Sequence, residues 1–264
     1  MKKDHLNSFV NDYAVRCFRD VADQDYITAR VCFREGLMIQ FNWMALQAVE
    51  KYLKAILLFN RVSSSKINHS LKKAYEEVVK IEGLEFSLPE KDIKFIEYLD
   101  QTGSNRYLTT AHWNKGDEIF SLDRVVWLIR RWCQDLNREI PIEKDPNTGG
   151  VTKSRRKLDL EKEKFTQYET TPHLFKLVGG HLEKVLSTRQ HPQRSSLIWQ
   201  NCFYSLKKRN TLTFPGRMNA INPPQILHPE IFEELSKYIK FSGQERDSFR
   251  QRLNQMKQSQ KNNS

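Results

Sequence analysis

Residues 38–59 constrain the fold more than any other stretch, because they are apolar on nearly every side of a helix. The stretch contains no Gly or Pro, and Leu46, Val49, Leu53 and Ile56 recur at helical spacing. A surface helix shows a single apolar stripe, whereas a helix that is apolar on most sides is buried. We therefore predict a helix at the centre of an all-α bundle.

Four further segments in the first half show helical spacing of apolar residues between helix-start and helix-stop signals. They span residues 12–35, 69–83, 88–100 and 125–137. Ser65 or Asn68 is the predicted N-cap of the second of these segments, and Ser121 or Asp123 that of the last. No strand alternation of any length is present. The first 140 residues are therefore predicted to form an all-α bundle of about five helices.

The second half is predicted to be smaller, basic and mainly helical. Residues 141–150 are rich in Pro, Gly and polar side chains, which is typical of a linker. We predict helices over 171–186 and 195–208, a helix from Pro229, and a basic helix from Gln244 that frays into a disordered end at 261–264. The predicted division is a bundle at 1–143, a basic linker at 144–158 and a basic, mainly helical domain at 159–264.

The positive charge belongs to the second half of the chain. Residues 1–145 contain 22 Lys and Arg against 22 Asp and Glu, whereas residues 146–264 contain 21 against 10. A strongly basic segment favours a polyanionic partner, nucleic acid above all, although net charge also serves solubility alone. The candidate nucleic-acid-binding residues are Lys153, Arg155, Arg156, Lys157, Lys207, Lys208 and Arg209.

Aromatic residues precede the second group of these cations. Trp199, Phe203 and Tyr204 lie just before Lys207 and could stack on bases. Their spacing is also that of a helix core, and we expect Trp199 and Phe203 to be core residues.

Composition argues against several other classes of protein. No apolar run is long enough to span a membrane, and the first residues lack the apolar core of a signal peptide. The four cysteines are scattered, which is typical of reduced thiols in the cytoplasm and argues against a zinc site or disulfide framework. We therefore expect a cytoplasmic protein with no membrane partner, no metal and no cofactor.

Three landmarks in residues 10–140 resemble the HEPN domain family of small helical bundles. The sequence Gln-Ala-Val-Glu-Lys-Tyr-Leu-Lys-Ala-Ile-Leu at 47–57 is similar to the signature of that family. His69-Ser70-Leu71 is similar to the His-polar-Leu start of its third helix. Asn105-Arg106-Tyr107 resembles the Arg-Tyr pair that many members carry before the last helix. The second half lies outside the resemblance.

The resemblance implies a helical bundle that forms a homodimer. Many HEPN proteins are metal-independent ribonucleases of toxin–antitoxin or antiviral defence systems, and their catalytic motif is Arg, four to six residues, then His. Arg106 and His112 have five residues between them, so the resemblance implies that they are catalytic. It also implies a cognate antitoxin or a nucleotidyltransferase as partner. Other members lack catalysis and act as dimerisation or scaffold modules that bind nucleic acid, nucleotide or a partner protein.

The chemistry of RNA cleavage suits these two residue types. A His near its ordinary pKa exchanges protons at neutral pH, and an Arg holds a phosphate through two hydrogen bonds. The sequence departs from active members at Tyr107, where they usually carry a polar residue, often Asn. The alternative is that Arg106 is structural and that His112 lies at the surface beside Trp113. We interpret His69 as a structural hydrogen-bonding residue.

Overall fold

A computed structural model describes residues 3–65, 67–103, 112–144, 146–209, 211–213, 219–221, 227–241 and 243–262. The chain divides into two compact units. The first contains residues 1–104 and 117–214, and the second contains residues 105–116 and 215–264. Among the described residues no helix is both long and apolar enough to cross a membrane.

The first unit begins with a helical bundle, so the predicted fold class is confirmed for this part of the chain. A single turn of π-helix at Ala14–Arg19 joins the first two helices into one continuous rod. The helices are α1 Lys3–Tyr13, α2 Asp20–Arg34, α3 Met38–Phe59, α4 Leu71–Val79, α5 Glu90–Thr102 and α6 Glu118–Arg130.

Helix α3 covers the whole apolar stretch at 38–59 and has the predicted central position. Fourteen of its 22 residues are buried. Leu53, Ala55, Ile56 and Leu57 are fully enclosed although they point to different sides of the helix. Burial on several sides explains why the stretch needs no single polar face.

The start of α4 is fixed by a carboxylate of α5, which corrects the predicted caps at Ser65 and Asn68. Asn68 has a φ of 54°, outside the extended conformation of an N-cap. Ser70 takes the cap position and accepts a hydrogen bond from the Lys73 amide. Asp100 adds a second acceptor, because its Oδ1 lies 2.9 Å from the Leu71 amide nitrogen.

Helix α6 starts at Glu118, seven residues before the predicted start, and neither Ser121 nor Asp123 caps it. Both lie inside the helix. Asp123 is fully buried and accepts a hydrogen bond of 2.6 Å from the Tyr26 hydroxyl and another from Arg30. A buried acid with a distant partner therefore resembles a helix cap when only its neighbours in the sequence are considered.

A hairpin of two antiparallel strands overlaps the predicted linker. Strand β2 (Glu139–Lys144) pairs with β3 (Val151–Arg156), with Glu139 opposite Arg156. Helix α7 (Lys157–Gln167) follows without a break. The Pro and Gly residues at 146–150 form the turn of a hairpin instead of a flexible connection.

Residues 157–209 pack on the bundle and share its core. Helix α7 is followed by a 3-10 turn at Pro172–Leu174, α8 (His181–Ser187) and α9 (Arg194–Ile198). The rings of Trp132 and Phe165 lie 4.9 Å apart, and those of Trp127 and Phe203 lie 5.8 Å apart. The predicted domain boundaries at 143 and 159 separate these residues, whereas in the structure the aromatic rings before and after the boundaries pack against one another.

The predicted helix over 195–208 ends early, at Ile198. The buried Oδ1 atom of Asn201 accepts hydrogen bonds of 2.9 Å from the amides of Phe203 and Tyr204. These bonds hold the backbone in a turn and compete with a helix at this point. The predicted helix over 171–186 is likewise reduced to α8 and the preceding 3-10 turn.

The second unit combines one strand pair with helical segments. Strand β1 (His112–Asn114) runs antiparallel to β4 (Asn219–Ile221). The helix predicted from Pro229 is a 3-10 turn at Pro229–Ile231 followed by the short α10 (Phe232–Leu235). The predicted basic helix is confirmed as α11 (Gly243–Asn262), which includes Lys261 and Asn262 of the expected disordered end.

A buried ion-pair network joins residues 157–209 to the bundle. The Arg130 Nε atom lies 2.7 Å from Asp23 Oδ1, and its Nη1 lies 2.8 Å from Glu183 Oε1. Asp23 also accepts hydrogen bonds from the Tyr52 hydroxyl and from the Leu182 amide. A guanidinium group buried this deeply needs both carboxylates, because without them it would be an uncompensated charge.

We expect Arg130→Met to lower the free energy of unfolding by about 3–5 kcal/mol, because it leaves Asp23 buried without its charge partner. Arg16→Met is the matched control. Arg16 also pairs with an aspartate, Asp12, but its side chain is 74% exposed, so the loss should stay below about 1 kcal/mol. Urea unfolding followed by circular dichroism measures both variants. Equal losses would contradict the role given to the buried network.

We also expect Glu183 to make stability depend on pH. Burial alone would raise the pKa of its carboxyl, but Arg130 and the Leu177 amide outweigh burial, so the pKa lies below its ordinary 4.5. A depressed pKa in the folded state stabilises the fold above pH 4.5, and this contribution is lost as the pH falls further. The difference in the free energy of unfolding between wild type and Glu183→Gln should therefore become smaller below pH 4.5, as measured by urea unfolding at each pH.

The control for the pH experiment is Glu90→Gln. Glu90 pairs with Lys94, but its side chain is 81% exposed, so the pair contributes little at any pH. For Glu90→Gln we expect a small difference in unfolding free energy from wild type at every pH. If the difference for Glu183→Gln also stays constant down to about pH 3, the proposed pH dependence is refuted.

Candidate nucleic-acid interface

The predicted catalytic pair is only partly within the described residues. Arg106 lies outside them. His112 is the first residue of β1, and its backbone pairs with Ile221 of β4. The backbone at His112 is therefore extended, and the strand pair fixes its position relative to residues 219–221.

An aromatic residue and a cation follow His112 directly. The Trp113 side chain is 55% exposed, and the Lys115 Nζ atom lies 5.5 Å from the centre of its ring. Asn114, between them, is buried. The alternation of β1 explains this pattern, because Trp113 and Asn114 point to opposite faces of the strand. An exposed indole beside a cation is suited to stacking with a base.

The cations of β3 are largely paired with groups of the protein itself. Lys153 Nζ lies 3.4 Å from Glu143 Oε1, and Arg155 Nη2 lies 2.6 Å from Glu163 Oε1. Arg156 donates a hydrogen bond to the side chain of Asn137. Two of the four predicted phosphate-binding residues at 153–157 therefore already have a carboxylate partner.

Lys157, the fourth of these cations, is half-buried at the start of α7. Its Nζ atom donates a hydrogen bond of 2.7 Å to Gln134 Oε1. Burial lowers the pKa of this ammonium, and the nearby Arg138 lowers it further. Lys157 is therefore less suited to binding a phosphate than its place in the basic run suggested.

The cations at 207–209 are exposed at the end of the segment that follows α9. Arg209 donates a hydrogen bond to the side chain of Gln200. Within the described part of the chain, no acidic side chain forms an ion pair with Lys207, Lys208 or Arg209. These three residues are therefore better placed to attract a polyanion than the hairpin cations.

The aromatic residues before this run face the core. Phe203 and Tyr204 are buried, and Tyr204 packs edge-on against Tyr26 at 5.8 Å. Trp199 is partly buried against the same core. The expectation of core positions for Trp199 and Phe203 is confirmed, and Tyr204 offers no exposed face for a base.

His69 has the contacts of a structural residue. Its Nδ1 atom lies 3.2 Å from Glu50 Oε1, which also pairs with Lys54 Nζ at 2.6 Å. Glu50 belongs to α3 and His69 directly precedes the N-cap of α4. The contact therefore joins the landmark at 47–57 to the landmark at 69–71.

Sequence reasoning missed Trp113 and Lys115 as candidate binding residues. Their signal was an aromatic residue and a cation two positions apart, which lie in contact where β1 ends. Within the described ranges, no three His, Cys, Asp or Glu side chains are grouped so as to hold a metal ion.

Comparison with known proteins identifies the bundle. The family model of the HEPN domain matches residues 15–117, and this part of the chain is therefore a HEPN domain. The match includes α2 to α5 and ends five residues after His112. A search of curated proteins and a search of solved structures each find no match.

We expect the double variant Lys207→Gln/Lys208→Gln to weaken binding to single-stranded RNA and to reduce its salt dependence. Each lost phosphate contact should lower the slope of log K against log salt by about 0.7. Fluorescence anisotropy with a labelled oligoribonucleotide over a series of salt concentrations measures the slope. The matched control is Lys153→Gln/Arg155→Gln, which removes the same charge from paired residues and should change the slope less. If the control loses as much, ion pairing within the protein does not decide which cations bind RNA.

Proposed function

We propose that this protein binds RNA and cleaves it without a metal ion, with Arg106 and His112 as the catalytic residues. The observation that carries the proposal is the extent of the HEPN match, which includes both residues and their five-residue spacing. The exposed cations at 207–209 support RNA as the substrate.

The reaction needs only groups that this chain and its substrate supply. A ribose 2′-hydroxyl loses its proton to a base and attacks the adjacent phosphorus. The bond from phosphorus to the 5′-oxygen breaks, and that oxygen takes up a proton from an acid. The products are a 2′,3′-cyclic phosphate and a free 5′-hydroxyl. His112 exchanges the protons, and Arg106 binds the phosphate oxygens on which charge develops.

A homodimer would complete this chemistry. One His can act as base while the His of a second copy acts as acid, if two Arg–His pairs meet. HEPN domains commonly dimerise, and we propose the bundle as the dimerisation element. A cognate antitoxin or a nucleotidyltransferase, in a toxin–antitoxin or defence system, is the proposed partner of such an enzyme.

A second function is favoured by the conformation of one residue. His112 lies in a strand, whereas the motif of active HEPN ribonucleases is expected in a helix. A strand and a helix direct successive side chains differently, so the motif does not have its helical geometry at His112. The protein would then bind RNA, a nucleotide or a partner protein as a non-catalytic module.

We expect His112→Ala to lower the rate of RNA cleavage by about 100- to 10,000-fold, the usual contribution of a general acid or base. Wild type should leave a cyclic phosphate in the presence of EDTA, as detected by mass spectrometry of the products. His69→Ala is the control, because His69 is 82% exposed and bonds to Glu50 without a proposed catalytic role.

The outcomes separate the two functions. Cleavage by wild type that survives His112→Ala in a preparation free of other nucleases would rule out the catalytic assignment. RNA binding by wild type with no cleavage at all would favour the non-catalytic module. Absence of RNA binding as well would refute the association with RNA.

A further inference from the structure

Three phenylalanines hold α10 and α11 together in the second unit. The rings of Phe232 and Phe249 stack at 4.6 Å, and Phe241 packs against both at 5.1 and 5.8 Å. All three are buried. Because Phe232 belongs to α10, Phe241 to the connection and Phe249 to α11, this cluster fixes the turn between the two helices.

A cavity of about 420 Å³ lies at this turn. Its size is within the range of pockets that bind small organic molecules, which is about 300–1,000 Å³. Four of the residues around it are cationic and one is acidic. They are Lys237, Lys240, Arg246 and Arg250, with Glu233.

Most of this positive charge is not compensated by the protein. Lys237 pairs with Glu234, and Arg246 donates two hydrogen bonds, of 3.2 and 3.1 Å, to the Phe241 carbonyl. Among the residues that the structure describes, no acidic side chain forms an ion pair with Lys240, Arg246 or Arg250. Like charges gathered around one cavity repel one another, and a bound anion relieves that repulsion.

An exposed aromatic ring lies at the same cavity. Tyr238 lines it and is 77% exposed, while its hydroxyl donates a hydrogen bond to Glu234. An exposed ring beside cations is the combination with which proteins bind single-stranded nucleic acid, because bases stack while phosphates pair.

We propose that this cavity binds one nucleotide of single-stranded RNA, with a phosphate on Lys240 and Arg250 and a base on Tyr238. The inference rests on the proposed function, because it takes the RNA-binding activity as given and assigns it a site. Arg246 contributes positive charge and also holds the turn, through the Phe241 carbonyl. The same chemistry would accept a free nucleotide, which is the other source of a phosphate next to a base.

The test compares two charge-neutralising variants of α11 in the full-length protein. Arg250→Gln removes a cation of the cavity, and Lys257→Gln removes an exposed cation elsewhere on the same helix. The probe is a labelled single-stranded oligouridylate, measured by fluorescence anisotropy at several salt concentrations. We expect Arg250→Gln to weaken binding about tenfold and to reduce the salt slope by about 0.7, and Lys257→Gln to change the affinity less than about twofold.

Tyr238 provides an independent measurement. Tyr238→Ala removes the ring and should weaken binding about tenfold, because the variant loses the stack with one base. Tyr238→Phe keeps the ring and should bind like wild type. Circular dichroism establishes that each variant is folded.

Each outcome bears on the proposal. If wild type binds the oligouridylate but Arg250→Gln and Lys257→Gln bind alike, the cavity is not the site, although RNA binding stands. If Tyr238→Ala binds like Tyr238→Phe, the stacking role is refuted. Uridine monophosphate is added as a competitor of the labelled oligouridylate. If it displaces the oligouridylate as well, per nucleotide, as the unlabelled strand does, and does so from wild type and Lys257→Gln but not from Arg250→Gln, the cavity binds free nucleotides. If wild type binds neither, the proposed function fails together with this inference.

Discussion

Two buried arginines determine how the first unit is assembled. Arg130 on α6 bonds to Asp23 on α2 and to Glu183 on α8, so one side chain connects three helices that are distant in sequence. Arg30 on α2 bonds to Asp123 on α6 and to the carbonyls of Ser196 and Trp199. Neither guanidinium can be buried until all its acceptors are in place, because an unpaired buried charge is strongly unfavourable. The HEPN bundle and residues 157–209 therefore form one packed unit.

The elements that could be predicted from sequence are those whose cause is local. Helix α3 is apolar on most sides, and this property is visible within its own 22 residues. The landmarks of the HEPN resemblance also have a physical explanation in this structure. Glu50 of the first landmark lies against His69 of the second, Ser70 caps α4, and Leu71 is fully buried. The pattern therefore encodes the contact between α3 and the start of α4, which the sequence shows as two separate motifs.

The features that could not be predicted depend on partners far along the chain. Asp123 resembles a helix cap until Tyr26 and Arg30, more than 90 residues away, are seen to bond to it. The Asn201 side chain accepts hydrogen bonds from the amides of Phe203 and Tyr204, and these bonds compete with the helix expected over 195–208. The Pro and Gly residues of the hairpin at 139–156 give the same sequence signal as a linker, because both kinds of segment need turns. The candidate site also depends on distant partners. The cations can be counted in the sequence, but the sequence does not show which of them form ion pairs with carboxylates.

Pairing inside the protein divides the basic second half into two kinds of surface. Lys153 and Arg155 face Glu143 and Glu163, so their charge is largely cancelled at short range. Lys207, Lys208, Lys240 and Arg250 have no such partner among the described residues, so they add uncompensated positive charge to the field that a polyanion meets. Lys207 and Lys208 belong to the first unit. Lys240 and Arg250 belong to the second unit, which also contains residues 105–116 with Arg106 and His112.

Substitutions in the Arg130 network change the stability of the first unit, whereas substitutions of Lys240 or Arg250 change the surface charge of the second unit. Loss of folding and loss of the proposed RNA binding are therefore separable, because the groups that hold the core and the cations proposed to bind RNA are different residues.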